Sequence, residues 1–126
     1  MEVKPVVWLG DSLKNLKAFP QQVRKSFGDA LYDAQIGKMP PHAKPFKGVG
    51  RGVIEIIKRY DSDTYRVVYA VQIANKIYVL HAFQKKAKSG IKTPQQDVDL
   101  IKLRYKRLSR PLGVNCIADY KSSAVG

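Results

Sequence analysis

The apolar positions of the chain follow two different periods, and these mark out the elements. Val6-Val7-Trp8-Leu9 is a short β-prone run that stops at the turn pair Gly10-Asp11. Leu13, Leu16 and Phe19 then recur at three-residue spacing, which predicts a short helix. Pro20 opens a second helix, since proline suits a first helical position. Val23, Phe27, Ala30, Leu31 and Ala34 form its apolar stripe, and it ends near Gly37, so the two make a helical hairpin.

Residues 38–50 carry Pro40, Pro41, Pro45, Gly48 and Gly50 and read as a loop within the domain. Three strands follow, at about Gly52–Lys58, Tyr65–Val71 and Lys76–Phe83, rich in Val, Ile and Tyr. Asp61-Ser62-Asp63 and Ala74-Asn75 supply the turns between them. After the basic loop Lys85-Lys86-Ala87-Lys88-Ser89-Gly90, Thr93 as N-cap, Pro94 in the first position and Gln96 as capping partner predict a last helix. Val98, Ile101, Leu103, Tyr105 and Leu108 are available there to face the sheet. From about residue 110 no period is visible, and a flexible tail is expected. The order β-αα-βββ-α predicts an α+β fold: an N-terminal strand and helical hairpin, a three-stranded antiparallel meander, and a C-terminal helix packed on the sheet. One domain spanning residues 1–126 is expected, because neither flank of the proline-rich loop could build a core alone.

Pairing the predicted strands brings distant basic groups together. A hairpin centred on Ser62 sets Lys58 opposite Arg66, and the turn at Ala74-Asn75 brings Phe83-Gln84 beside Tyr65-Arg66. Lys58, Arg66, Lys85 and Lys86 then gather at one end of the sheet, with Arg59 next to them. Like charges opposed in this way are unfavourable without a counter-ion, so the cluster is a candidate phosphate site. Solvated strand ends that discourage edge pairing are the plainer alternative for the lysines. Glu55 alternates to the other face and is expected to pair with a base there. His81 shares a face with Phe83, Val79 and Ile77, as a half-buried core histidine or as a general acid–base. Phe83 packs in the core or stacks a base. His42 lies in the loop that could fold over the site. Tyr60, Tyr65 and Tyr69 are candidates for a phenolic proton but more simply structural.

Composition narrows the class of partner. The 126 residues include 23 Lys and Arg against 10 Asp and Glu, a formal net charge of +13. The excess is lopsided, since residues 64–126 hold 12 basic and only 3 acidic side chains. Such a field draws polyanions at long range, and solubility needs far less charge. Nucleic acid or the ribosome is therefore the expected partner. Anionic membranes fit less well, because the basic residues are not gathered on one amphipathic helix. No apolar run approaches the roughly 18 residues of a membrane span, and the N-terminus does not read as a secretory signal. Cys116 is the single cysteine. It can form no internal disulfide, and a cytoplasmic setting is expected. There is no P-loop, no GxGxxG and no metal-ligand spacing, so no metal site and no cofactor is expected, and phosphodiester cleavage would proceed without a metal.

An ordered series of segments resembles the RelE/ParE toxin superfamily, with the nearest likeness to its HigB-like, phage-derived Gp49-like branch. The series is Phe46-Lys47-Gly48-Val49-Gly50-Arg51-Gly52-Val53-Ile54-Glu55-Ile56, Tyr65-Arg66-Val67-Val68-Tyr69-Ala70, Val79-Leu80-His81-Ala82-Phe83-Gln84-Lys85-Lys86 and Lys92-Thr93-Pro94. The resemblance covers about residues 5–108 and implies a RelE-like fold. It also implies a ribosome-dependent endoribonuclease that cuts mRNA in the A site, held in check by a HigA-like helix-turn-helix antitoxin through which alone operator DNA is bound. By position it implies that Arg66 stabilises the scissile phosphate and that Lys86, or Lys85, is the basic residue after the last strand. Ile54 and Ile56 stand where RelE has lysines, leaving Lys58 as the nearest cation there and His81 as the substitute proton carrier. Lys58, Arg59, Phe83, Lys88 and Lys92 are the expected RNA contacts. Two other readings stay open: a ParE-like inhibitor that blocks DNA gyrase by binding it, and a basic RNA- or ribosome-binding protein without catalysis.

Overall fold

The computed structural model describes residues 3–85 and 93–108 and the backbone of 120–122. In chain order the elements are β1 (Val6–Leu9), α1 (Ser12–Lys17), α2 (Gln21–Gln35), β2 (Ala43–Pro45), β3 (Val53–Tyr60), β4 (Asp63–Ile73), β5 (Lys76–Lys85), α3 (Gln95–Leu108) and β6 (Tyr120–Ser122). The fold is α+β. Among the described residues the strands form one mixed sheet in the order β2-β3-β4-β5-β1-β6. β1 runs parallel to β5, and the other pairs are antiparallel. No described helix is long and apolar enough to cross a membrane.

Both faces of the sheet are covered. On one, Val23, Phe27, Ala30 and Leu31 of α2 and Leu16 of α1 pack with Trp8, Ile54, Ile56, Tyr65, Val67, Tyr69 and Val79. On the other, Ile101 of α3 packs with Val7, Leu9, Val53, Val68, Ala70, Leu80 and Phe83. Strand alternation produces this division: odd residues of β3 and even residues of the first half of β4 face α3, and their neighbours face α2.

Several local expectations need correction. The proline-rich segment contains β2, which pairs Ala43 with Ile56 and Pro45 with Ile54. Proline is tolerated because the strand lies at the sheet edge. Pro20 stands at the N-cap of α2 and not inside it, with φ −56° and ψ 150°. In α3 the Pro94 carbonyl accepts from the Val98 N–H at 3.1 Å, so Pro94 takes the capping position expected of Thr93. Leu103 is 45% exposed, and Arg104, three residues after Ile101, is buried in its stead. Part of the C-terminal tail joins the sheet, with β6 pairing along β1.

Candidate functional site

The register of the β3–β4 hairpin decides which side chains meet. Asp61 and Ser62 both have positive φ, 52° and 72°, so the connection is a two-residue turn and Tyr60 pairs with Asp63. The Asp61-Ser62-Asp63 run suggested a turn one residue longer. That slip reverses the faces. Ile57 and not Lys58 lies opposite Arg66, while Lys58 pairs with Tyr65 and faces α2. Lys58 instead lines a groove of about 230 Å³ with His42, Asp29 and Asp33. His42 is therefore not folded over the Arg66 face.

The same register carries Glu55 to the face of Arg66. The Arg66 guanidinium donates to the Glu55 carboxylate at 2.8 Å, and both groups are buried. The expectation that Glu55 pairs elsewhere is thereby overturned. Phe83 stands opposite Arg66, and Lys85 opposite Thr64, as the second hairpin predicted. Arg59, which pairs with Thr64 on the other side, shares this face and is exposed. Arg66, Lys85, Phe83 and Arg59 are thus brought together, with Glu55 paired to Arg66 from the β3 side.

His81 reaches this face by an irregularity. Val68 pairs with His81 but Tyr69 with Val79, so Leu80 is an extra residue, a β-bulge. The bulge resets the alternation. His81 keeps company with Phe83, their rings stacked at 4.8 Å and 19°, while Val79 and Ile77 face α2. The expected common face for all four is corrected accordingly. The His81 Nε2 lies 2.7 Å from an Asp97 carboxylate oxygen in the first turn of α3. Its Nδ1 is buried without a hydrogen-bond partner among the described residues.

Burial shifts two of the basic groups toward their neutral forms. Burial and the neighbouring Arg66 charge push the Lys85 ammonium below its usual pKa, with Glu55 pulling the other way. Burial likewise lowers His81, outweighing the hydrogen bond and charge of Asp97. Tyr69, by contrast, is pushed up to about 12 by burial and by Asp33. Tyr65 is also raised by burial. Both face α2, so neither phenol serves this site. Lys86, Lys88 and Lys92, expected as catalytic or RNA-binding groups, lie outside the described residues.

Three functional candidates escaped the sequence reading: Glu55 in its present role, Asp97 and Arg104. Only the correct turn length would have revealed Glu55. Asp97 carries a usable signal, since an acid in a first helical turn beside a buried histidine is a natural partner. Arg104 sits in the basic run Lys102–Arg107 with nothing in the sequence to set it apart.

Comparison with known families gives one match. The model of the family described as "Phage derived protein Gp49-like (DUF891)" matches residues 14–106, a span containing every residue of the cluster. No curated protein and no solved structure matches the chain.

Proposed function

Because the chain belongs to the Gp49-like family, a RelE/HigB-like toxin family, we propose that it is the toxin of a type II toxin–antitoxin pair with a RelE-like fold, cleaving mRNA in the ribosomal A site. The observation that carries this reading is the placement of Arg66 and Lys85, two buried cations with Glu55, beside the His81–Phe83 stack. A phosphodiester entering there meets a fixed positive charge and several groups able to move protons.

In this reading the scissile phosphate enters at the end of the sheet near the Asp61-Ser62 turn, where Arg59 shares the face of Arg66 and is exposed. The RNA 2′-oxygen attacks the adjacent phosphorus, and the bond from phosphorus to the 5′-oxygen breaks. The products are a 2′,3′-cyclic phosphate and a free 5′-hydroxyl. Neutral His81 or the Glu55 carboxylate takes the 2′-hydroxyl proton, and the Lys85 ammonium returns one to the departing 5′-oxygen. Arg66 stabilises the extra negative charge of the pentacoordinate transition state, the largest contribution such a site offers. Ribosomal presentation supplies the orientation that an isolated acid–base set would lack. The proposed partners are a HigA-like helix-turn-helix antitoxin, with operator DNA bound only through it, and the translating ribosome. The proposed setting is the cytoplasm.

The test is a translation reaction programmed with a defined mRNA, comparing the wild type with Arg66→Ala and mapping transcript ends. Cuts that require translating ribosomes and fall at least about 100-fold in Arg66→Ala are expected. Intact mRNA and undiminished translation would sink the reading and direct attention to gyrase supercoiling.

A further inference from the structure

β1 stops pairing with β5 at Trp8–Val79. Beyond that point the β5 edge would expose carbonyls inside the protein, and side chains cover them instead. Ser12 Oγ donates to the Val79 carbonyl at 3.3 Å, and Asn15 Nδ2 donates to the Ala82 carbonyl at 3.0 Å. Between them, the carbonyl of Leu80, the bulge residue, accepts from Arg104 at 2.7 Å. The other arm of the Arg104 guanidinium reaches the Asp11 carboxylate at 3.0 Å. Burial raises the Asp11 pKa, but the hydrogen bond and charge of Arg104 outweigh it and hold the carboxyl below its usual value. The guanidinium is packed against Gly10, where an added Cβ would collide with the arginine side chain.

We propose that Arg104 is a positioning residue for His81: its guanidinium clamps the Leu80 bulge to the β1–α1 turn and so keeps the imidazole on the face of Arg66 and Lys85. Without the bulge, regular alternation would send residue 81 to the α2 face, as a register slip of one residue does. A helix partner with a single donor could not hold both the bulge carbonyl and the turn. The fork geometry of a guanidinium can. The charged groups facing His81 are Asp97 and Arg104 from α3 and Asp11 from the β1–α1 turn, and the clamp contains two of the three. The catalytic arm of this inference rests on the RNase reading above, whereas the structural arm does not.

The experiment uses the full chain with Arg104→Gln, Arg104→Lys and Gly10→Ala. Gly10→Ala leaves the arginine charge in place but takes its space and, because Gly10 has a φ of 53°, also strains the turn the guanidinium holds, so it loosens the clamp from the turn side even if Arg104→Gln fails to fold. Proton NMR of the two imidazoles reports placement: His81 shows ring-to-ring contacts with Phe83 in the wild type and loses them in Arg104→Gln and Gly10→Ala. In ribosome-dependent cleavage these two variants lose about ten-fold or more in kcat with KM within about two-fold, since orientation and not binding is damaged. Arg104→Lys falls between. Retention of the His81–Phe83 contacts in both variants, or their loss with kcat unchanged, overturns the proposal. A wild type that cuts no mRNA sinks the RNase reading, and the NMR arm still decides the placement of His81.

Discussion

Lys85 is 3% exposed, and its ammonium has no hydrogen-bond partner among the described residues. A cation so placed beside Arg66 is held at a cost to stability, with Glu55 offsetting only part of it. The pH dependence follows from its lowered pKa. In the window between that lowered value and the ordinary 10.5, the unfolded chain binds more protons than the folded one, so the contribution of Lys85 to stability rises with pH. Below the folded pKa the full penalty is present. Lys85→Met keeps the aliphatic stem and removes the charge, leaving the neutral Glu55–Arg66 pair. It is expected to gain about 1 kcal/mol or more at neutral pH, a gain that shrinks toward pH 10.5, while ribosome-dependent cleavage is lost. Urea unfolding at several pH values measures the first and mapped transcript ends the second. A variant less stable than the wild type at pH 7 would mean that Lys85 is net stabilising and that the site is not strained in this way.

At the scale of elements, two turns and two irregularities of the β4–β5 pairing decide the site. Both hairpins turn through residues with positive φ that are not glycine: Asp61 and Ser62, and Ala74 and Asn75. Such a backbone costs roughly 1 kcal/mol at a residue with a Cβ. Ser62→Gly is therefore expected to stabilise by about 0.5–1 kcal/mol, raising the thermal midpoint with cleavage unchanged. A fall in the midpoint would show that the Ser62 side chain contributes more than its strain costs. The turn also explains what was legible in the sequence. The helix stripes and the strand runs of β1, β3, β4 and β5 could be read from periodicity, because burial imposes those periods directly, whereas the three-residue strands β2 and β6 are too short to show one. The face on which Lys58 and Glu55 lie could not, because Asp61, Ser62 and Asp63 are all good turn formers and a choice among them moves the register by one. The Leu80 bulge was equally silent, since Val79 and Leu80 are both apolar and fit a regular strand as well as an interrupted one. Arg66, Phe83 and Lys85 came together as expected because the Leu80 bulge on β5 is offset by a second irregularity between Ala70 and Ile73 on β4, which restores the register set by the Ala74-Asn75 turn. The family match adds the span of the likeness but no residue roles.

For the molecule as a whole, the net charge of +13 and the nearly closed cluster act at different ranges. Lys44, Lys47, Arg59 and Lys102 are exposed, so their field reaches solvent and is screened within a Debye length of about 8 Å at physiological salt. Arg66 and Lys85 are buried, where salt penetrates poorly. Capture of a polyanion and chemistry on it should therefore separate when ionic strength is varied. If about six or more phosphates are neutralised on binding, affinity for mRNA-programmed ribosomes should fall about 10³-fold or more between 50 and 200 mM salt. Over the same range kcat should change by less than about three-fold, because saturated complexes no longer depend on the exposed charge. Measuring kcat and KM for cleavage at several salt concentrations, with ribosome integrity checked at each, separates the two. A steep salt dependence of KM with a flat kcat fits surface steering and a shielded site. A kcat that falls in parallel with affinity would place the reacting phosphate among the solvent-exposed cations, and the Arg66–Lys85 cluster would then be only a structural feature of the sheet.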